Sequence, residues 1–296
     1  MLRRMLLAAA LGTLTAAAAQ GQTPVKIGVL TDRSGVYADI AGEGSLVAAR
    51  MAVEDFKAAD KGLKVEVISA DHQNKPDLGL ATARQWHDQE GVGAIIGVGS
   101  SAVALAIRSY AREHGRIDIY TTTGTSDLTG SACSPTGFHW MHDTYALAKV
   151  IATAGIRNGG DTWFILAADY AFGHILERDV TRFVTDAGGR VLGSVRHPVN
   201  SSDFSSFLLQ AQASGAKVIA LANGGADLVN SVKTAREFGI IGDGSKQSLA
   251  VLLLMITDVE AIGLAAHRGC CSPKGSTGIG PTTAGPGPSA FSPAGH

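Results

Sequence analysis

Small hydroxyl-bearing residues and glycine stand where predicted strands give way to predicted helices. Ser100 and Ser101 precede one helix, and Thr123, Gly124 and Thr125 precede a later helical turn. The first N–H groups of a helix lack intrahelical partners and carry the positive end of the helix dipole, so they favour an anion. Two such sites in one sheet could hold a carboxylate without an arginine. Serine and threonine are also preferred N-cap residues, so simple helix capping is the alternative.

The segment Gly97–Ala102 also matches the G-x-G-x-x-A pattern of dinucleotide-binding turns. Asp118 follows it at about the distance of 20 residues at which that pattern carries its acidic residue. The match is isolated, and its strand is the third of the chain, whereas the pattern belongs to the first. A nucleotide-dependent oxidoreductase is therefore kept as an alternative.

No recognisable catalytic or metal-ligating set accompanies these hydroxyls in the sequence. None of the nine histidines forms an H-E-x-x-H motif, and His139 and His142 lack a third ligand nearby. There is no G-x-S-x-G motif, and Asp169, Asp203 and Asp258 show no pairing suited to acid–base catalysis. We expect a protein that is not an enzyme, with no cofactor and no metal site.

Three aromatic residues fall at other strand ends. Tyr37 follows the first predicted strand, and Tyr170 and Phe172 lie between a later strand and its helix. Any one of them would suit a protein core. Together, two aromatics at the edge of a second sheet could cover a ligand that the first sheet holds.

Two parallel sheets are needed to position these residues. Apolar segments alternate with helical ones in two sets divided near residue 140. The predicted strands are 25–32, 64–71, 94–98 and 117–123, then 162–169, 190–198, 217–223 and 249–256. This alternation predicts βαβ units, and ligands bind beyond the carboxyl ends of such strands. We therefore expect two α/β lobes with a binding cleft between them.

The N-terminal residues have the pattern of an export signal. Arg3 and Arg4 precede an apolar run and then a stretch of alanines, which predicts a signal peptide over residues 1–19. The 25 basic and 26 acidic residues nearly balance, so we expect no general electrostatic binding of nucleic acid.

A family resemblance is carried by several segments, among them VKIGVLTDRSGVYADIAGEG, GTSDLTGSACSP and DTWFILAADYAFGH. Together they resemble the periplasmic substrate-binding proteins of branched-chain amino-acid-type ABC transporters, the Leu/Ile/Val-binding group. The resemblance covers about residues 24–264. It implies a type I Venus-flytrap fold with lobes at 24–141 and 142–257 and a second crossover at 258–268. It also implies a periplasmic monomer that binds a small carboxylate-bearing solute and delivers it to an ABC permease and ATPase.

The same resemblance implies roles for particular residues. The serines and the Thr-Gly-Thr turn match positions that bind the ligand carboxylate, and Tyr37 adds aromatic surface. Tyr170 and Phe172 lie at the aromatic position of the second lobe, Asn223 at its next strand end, and Asp258 near an acidic position of the family. Because amino-acid binders often carry an aromatic residue where Asn223 stands, the resemblance favours a subgroup for aromatic or other organic acids. A ligand-sensing receptor domain of the same fold is a further alternative.

The apolar pattern stops after about residue 264. Residues 269–296 hold five of the nine prolines and no acidic residue. Codons for the segment after Cys270, read out of frame, can encode Leu-Thr-Glu-Gly-Phe-Tyr-Trp-Asp-Arg, which resembles the continuation of the family. We therefore expect an out-of-frame or disordered tail and a chain without the C-terminal part that completes both lobes.

Overall fold

The computed structural model describes residues 22–241 and 244–263, and their strands form two parallel sheets. The first sheet has five strands in the order β2-β1-β3-β4-β5. These are β1 (Thr23–Thr31), β2 (Leu63–Asp71), β3 (Ala94–Gly97), β4 (Ile117–Tyr120) and β5 (Gly137–His139). Its helices are α1 (Ala38–Ala41), α2 (Glu43–Phe56), α3 (Pro76–Asp88) and α4 (Ser101–Glu113). We call this unit the first lobe.

The second sheet has four strands in the order β7-β6-β8-β9. They are β6 (Thr162–Ala168), β7 (Arg190–His197), β8 (Val218–Ala222) and β9 (Ser248–Val251). The helices are α5 (Thr144–Arg157), α6 (Ala171–Asp186), α7 (Ser205–Ala213), α8 (Gly225–Glu237) and α9 (Ile256–Ile262). We call this unit the second lobe.

Burial of both sheet faces explains why the central strands are apolar without alternation. In the second lobe, Leu166 belongs to an apolar cluster on one face of the sheet, and Trp163 and Ile165 belong to a cluster on the other. In the first lobe, Leu30 and Ile95 of the sheet pack with Ile107 of α4. The second sheet is therefore held by apolar packing on both faces, and the first by its packing against α4. The turns lie at the carboxyl ends of the strands.

The register aligns the carboxyl ends of the strands. In the first lobe, Leu30 pairs with Gly97, and Gly97 pairs with Tyr120. In the second, Ala167 pairs with Ala222. Because every strand is parallel to its neighbours, the turns that follow β1, β3 and β4 meet at one edge, as do those that follow β6 and β8.

The expected α/β fold with two parallel-sheet lobes is confirmed, but two predicted strands end earlier than expected: the one predicted over 117–123 ends at Tyr120, and the last one ends at Val251. The apolar run predicted as a strand over 249–256 leaves the sheet after Val251, and Ile256 already begins α9. The reason is that Leu252 and Leu253 are buried as an irregular segment, so apolar character there does not signal a strand. The short strand β5 was not predicted.

The lobe boundaries at 24–141 and 142–257 and the crossover at 258–268 stay predictions. The proposed signal peptide over 1–19 and the tail over 269–296 lie outside the described residues. Within residues 22–241 and 244–263, every helix is too short or too polar to cross a bilayer.

Candidate functional site

A small cavity lies where the two lobes meet. Its volume is about 20 Å³, enough for about one water molecule. The described residues that line it are Tyr37, Ile40, Ala41, Gly99, Ser101, Thr122, Gly124, Met141, Tyr170, Phe172, Leu253 and Met255. None of these lining residues carries a charge. The lobes are therefore closed on a neutral pocket with hydroxyl groups on one side and aromatic rings on the other.

The amino end of α4 opens at this cavity. Ser101 lines the pocket, while Ser100, the N-cap residue, is fully buried and makes no side-chain capping bond. Among the described residues the Ser100 hydroxyl finds no hydrogen-bond partner. Close packing of α1 also requires Gly99, because a Cβ at that position would lie 2.7 Å from the Cβ of Ala41. This end of α4 thus combines a helix dipole with a buried, unpaired hydroxyl, which suits an anion.

The turn after β4 supplies the second group of predicted site residues. The Thr123 hydroxyl donates to the carbonyl of Val98, and Thr125 Oγ1 accepts the N–H of Asp127 at 3.2 Å. These two threonines therefore shape the turn, and Gly124 lines the pocket between them. Thr122, which was absent from the predicted set, also lines the pocket, and its buried hydroxyl has no partner among the described residues.

Aromatic side chains join the lobes over the pocket. The hydroxyls of Tyr37 and Tyr170 share a hydrogen bond across the cleft, and their ring centroids lie 6.3 Å apart. Phe172 is buried, with its ring centroid 6.2 Å from that of Tyr170. Burial raises the pKa of both tyrosines, so both hydroxyls are neutral donors at physiological pH.

Five of the ten predicted ligand-binding residues do not line the pocket: Ser100, Thr123 and Thr125, described above, and Asn223 and Asp258 of the second lobe. Asn223 is buried in the second lobe, where its Nδ2 donates to His197 Nε2 at 3.1 Å and to Ser231 Oγ at 3.4 Å. Asp258 is also buried, and its carboxylate accepts the N–H of Met255 at 2.9 Å, which caps α9. Burial raises the pKa of Asp258. A role of Asn223 and Asp258 in ligand binding stays a prediction.

Two acidic residues that were not predicted lie near Tyr37 of the pocket wall. Asp32 accepts the N–H groups of Gly35 at 2.8 Å and Tyr37 at 3.1 Å, and so fixes the loop that carries the Tyr37 ring. Asp227 accepts the N–H of Asn200 at 3.1 Å, and burial raises its pKa to about 6. Asp32 could have been found from its sequence, since an Asp three residues before a Gly at a strand end is typical of a side-chain-stabilised turn.

The residues of the dinucleotide pattern are not arranged for that use. Asp118 pairs with Ile95 inside the sheet, away from the carboxyl edge. Its carboxylate accepts the Nε–H of Arg108 at 2.6 Å, with both side chains almost fully buried. A buried aspartate engaged in this way cannot contact a ribose at the sheet edge. In the part of the chain that the structure describes, no three His, Cys, Asp or Glu side chains group as a metal site.

Two parallel-sheet lobes that meet at a small neutral pocket are an arrangement typical of proteins that bind a ligand between domains. Comparison with known families makes the assignment more specific. Residues 24–292 match the family model described as periplasmic binding protein, and the chain belongs to that family. The resemblance inferred from the sequence is thereby confirmed at the level of the family.

Individual relatives agree with this assignment. A solved periplasmic binding protein from Burkholderia mallei is 48% identical with a TM-score of 0.79, over 83% of this chain and 64% of that one. A branched chain amino acid ABC transporter periplasmic ligand-binding protein from Burkholderia xenovorans LB400 is 39% identical with a TM-score of 0.66, over 81% and 64%.

A curated relative, Leu/Ile/Val-binding protein homolog 6 of Brucella melitensis, is 27% identical over 262 residues, which are 87% of this chain and 66% of the relative. The chain thus spans 64–66% of the length of these three relatives.

Proposed function

We propose that the protein binds a small carboxylate-bearing solute in the periplasm, as a monomer, and delivers it to an ABC permease and its ATPase. The observation that carries this proposal is the neutral pocket between the lobes, with the amino end of α4 at one side and the hydroxyls of Ser100 and Thr122, which have no partner among the described residues. The import role is supported by the Burkholderia xenovorans relative, which is described as part of a branched chain amino acid ABC transporter.

In this proposal the first lobe binds the carboxylate. Backbone N–H groups at the start of α4 and the Ser101 hydroxyl donate to it, together with the turn formed by Thr123, Gly124 and Thr125. Neutral donors suit a carrier, because they hold an anion reversibly and leave no buried countercharge when the ligand departs. The site binds and releases its ligand without changing it.

The second lobe contacts the rest of the ligand. Tyr170 and Phe172 supply flat apolar surface opposite Tyr37, which suits an aromatic or branched aliphatic body. Asn223 and Asp258 join the site in this proposal when the ligand widens the pocket. The two ligand classes proposed for this site are amino acids and aromatic or other organic acids.

A thermal-shift screen tests this function on the full chain. The compounds are amino acids, aromatic and aliphatic carboxylates, and the uncharged amide of each carboxylate. Free ligand at about 100 times its Kd stabilises a protein by about 2.7 kcal/mol, or about 5–10 °C for a chain of this size. At least one carboxylate is expected to reach that shift, and its amide is expected to give much less.

A pair of serine variants on α4 serves as the matched control. Ser101→Ala is expected to reduce the shift, because Ser101 lines the pocket. Ser109→Ala is expected to leave it unchanged, because the Ser109 hydroxyl is bonded to Glu113 on the exposed face of the same helix. If no carboxylate shifts the melt while a nicotinamide cofactor does, the proposal fails and the oxidoreductase alternative replaces it.

A further inference from the structure

Helix α6 of the second lobe contacts the first lobe at a second place, about two helical turns beyond Phe172. There Arg178 and Asp179 face Ser126 and Asp127, which belong to the turn that carries Gly124. We call these four residues, together with Thr144 at the start of α5, the α6 clasp. None of the five lines the pocket.

The carboxylate of Asp179 is the centre of the clasp. Its Oδ2 accepts the hydroxyl of Ser126 at 3.1 Å and the hydroxyl of Thr144 at 2.7 Å. The Thr144 hydroxyl in turn accepts the backbone N–H of Ser126 at 3.2 Å. Asp179 of the second lobe therefore binds the Ser126 side chain of the first lobe directly. It also orients the Thr144 hydroxyl, which binds the Ser126 backbone.

Arg178 adds a charged contact between the lobes. Its Nε donates to Asp179 Oδ1 at 3.0 Å, and its terminal nitrogens reach Asp127 Oδ1 at 3.2 and 3.3 Å. The guanidinium thus bridges one carboxylate from each lobe. The side chain of Asp179 is only 8% exposed, whereas that of Arg178 is 54% exposed. Hydrogen bonds to a buried carboxylate are among the stronger ones in proteins, so Asp179 dominates the clasp.

The clasp and the pocket share one short segment of backbone. The Gly124 carbonyl accepts the N–H of Thr144 at 2.7 Å, and the Phe172 ring lies against Gly124 itself. Ser126 is only two residues away. Because α6 is a continuous helix, Phe172 and Asp179 reach this segment as parts of one rigid body.

We propose that the α6 clasp positions the Gly124 turn and sets the fraction of molecules in which the lobes are closed. Arg178 and Asp179 are then positioning residues for ligand binding, although neither touches the pocket. The effect on affinity rests on the proposed function, since it requires the closed lobes to be the ligand-binding form. The effect on lobe closure does not depend on the proposed function, and it can be measured without a ligand.

Hydrogen exchange of the full chain provides that measurement. The backbone N–H of Ala226, at the start of α8, donates to the carbonyl of Val36 in the first lobe at 3.2 Å. It becomes accessible when the lobes separate, so its exchange rate reports opening. We expect Asp179→Ala to raise the exchange rate of Ala226 about tenfold and Ser126→Ala to raise it about threefold, with the amides of β6 unchanged.

Arg182→Ala is the matched control, because Arg182 lies one turn further along α6 and pairs with Asp186 in its own helix at 3.6 Å. It is expected to leave the Ala226 rate unchanged. The proposal is overturned if Ala226 exchanges at the wild-type rate in Asp179→Ala, or if the amides of β6 accelerate by the same factor, which would indicate loss of stability within the second lobe. If Asp179→Ala does not fold, Ser126→Ala and Arg178→Ala apply the same criterion.

The affinity effect is read out separately with whichever carboxylate gives the largest shift in the screen. Asp179→Ala is expected to weaken its binding in proportion to the loss of the closed fraction that Ala226 exchange reports, and at most by the factor by which that exchange increases. If exchange changes and no carboxylate binds either protein, the clasp stands and the proposed function fails. If the affinity of a bound carboxylate does not fall in proportion to the closed fraction measured by Ala226 exchange, the positioning role is refuted.

Discussion

The contact between Gly124 and Phe172 makes closure of the lobes sensitive to a single methyl group. A Cβ added at Gly124 would lie 2.8 Å from Cε2 and 3.3 Å from Cδ2 of Phe172, and its three nearest atoms all belong to that ring. The backbone of Gly124 is not in the left-handed region, so alanine fits its conformation. We therefore expect Gly124→Ala to oppose closure without destabilising the first lobe.

The size of the effect follows from the cost of overpacking. Inserting a methyl group into a well-packed contact costs about 1–3 kcal/mol. At 1.4 kcal/mol for each factor of ten, the ratio of closed to open molecules falls by about 5- to 150-fold. If only the closed form binds, the Kd of a carboxylate ligand rises by at most that factor.

Isothermal titration and hydrogen exchange measure the two consequences of Gly124→Ala. Titration with the best carboxylate from the screen gives the Kd, and exchange of the Ala226 amide gives the extent of opening. Gly44→Ala in α2 is the control, because a Cβ there meets no atom of residues 22–241 or 244–263 within 4 Å. It is expected to stabilise the helix by about 0.5–1 kcal/mol and to leave both readings unchanged. Wild-type affinity and exchange in Gly124→Ala would refute the reasoning.

Three further substitutions test the contacts around the pocket. Tyr37→Phe removes the hydroxyl bond between the lobes and is expected to weaken ligand binding about 2- to 10-fold by titration; Tyr110→Phe, whose hydroxyl binds within the first lobe, is the control and should leave affinity unchanged. Burial raises the pKa of Asp227 to about 6, so the folded protein keeps a proton that the unfolded chain loses near pH 4. The free energy of unfolding of the wild type, measured in urea relative to that of Asp227→Asn, should therefore fall by up to about 3 kcal/mol as the pH rises from about 4 to 6. A difference between the two proteins that does not change with pH would contradict the raised pKa. Arg108→Ala leaves the buried Asp118 carboxylate unpaired and should cost about 3–5 kcal/mol in the same assay, where a cost below about 1 kcal/mol would contradict the buried pair.

The sequence was sufficient to predict the two sheets, because each strand and helix is specified by a pattern of neighbouring residues. Each strand is a short apolar run followed by glycine or hydroxyl residues, and each helix has its own period. The prediction failed where apolar character had a different cause. Leu252 and Leu253 are buried by contact with chain segments distant in sequence. An apolar run buried in this way has the same composition as an apolar strand, so the sequence alone does not distinguish them.

The lining of the pocket was predicted in part. Tyr37, Ser101 and Gly124 could be placed at strand ends and do line the pocket. Whether a side chain at a strand end faces the pocket or the interior of its lobe depends on the residues packed around it. The position of Asn223 at a strand end therefore did not reveal that its side chain lies inside the second lobe. The contact of Tyr37 with Tyr170 spans 133 residues and depends on how the lobes close. No local pattern encodes it.

The central claim is that the pocket between the lobes binds one small carboxylate through its negative group. Isothermal titration of the full chain with the best carboxylate and with its uncharged amide tests this most directly. We predict one carboxylate bound per chain and no chemical change in the recovered ligand. We also predict that the amide binds at least about tenfold more weakly, because the α4 dipole and its N–H groups gain little from a neutral group. Equal binding of acid and amide, or turnover of the ligand, would contradict it.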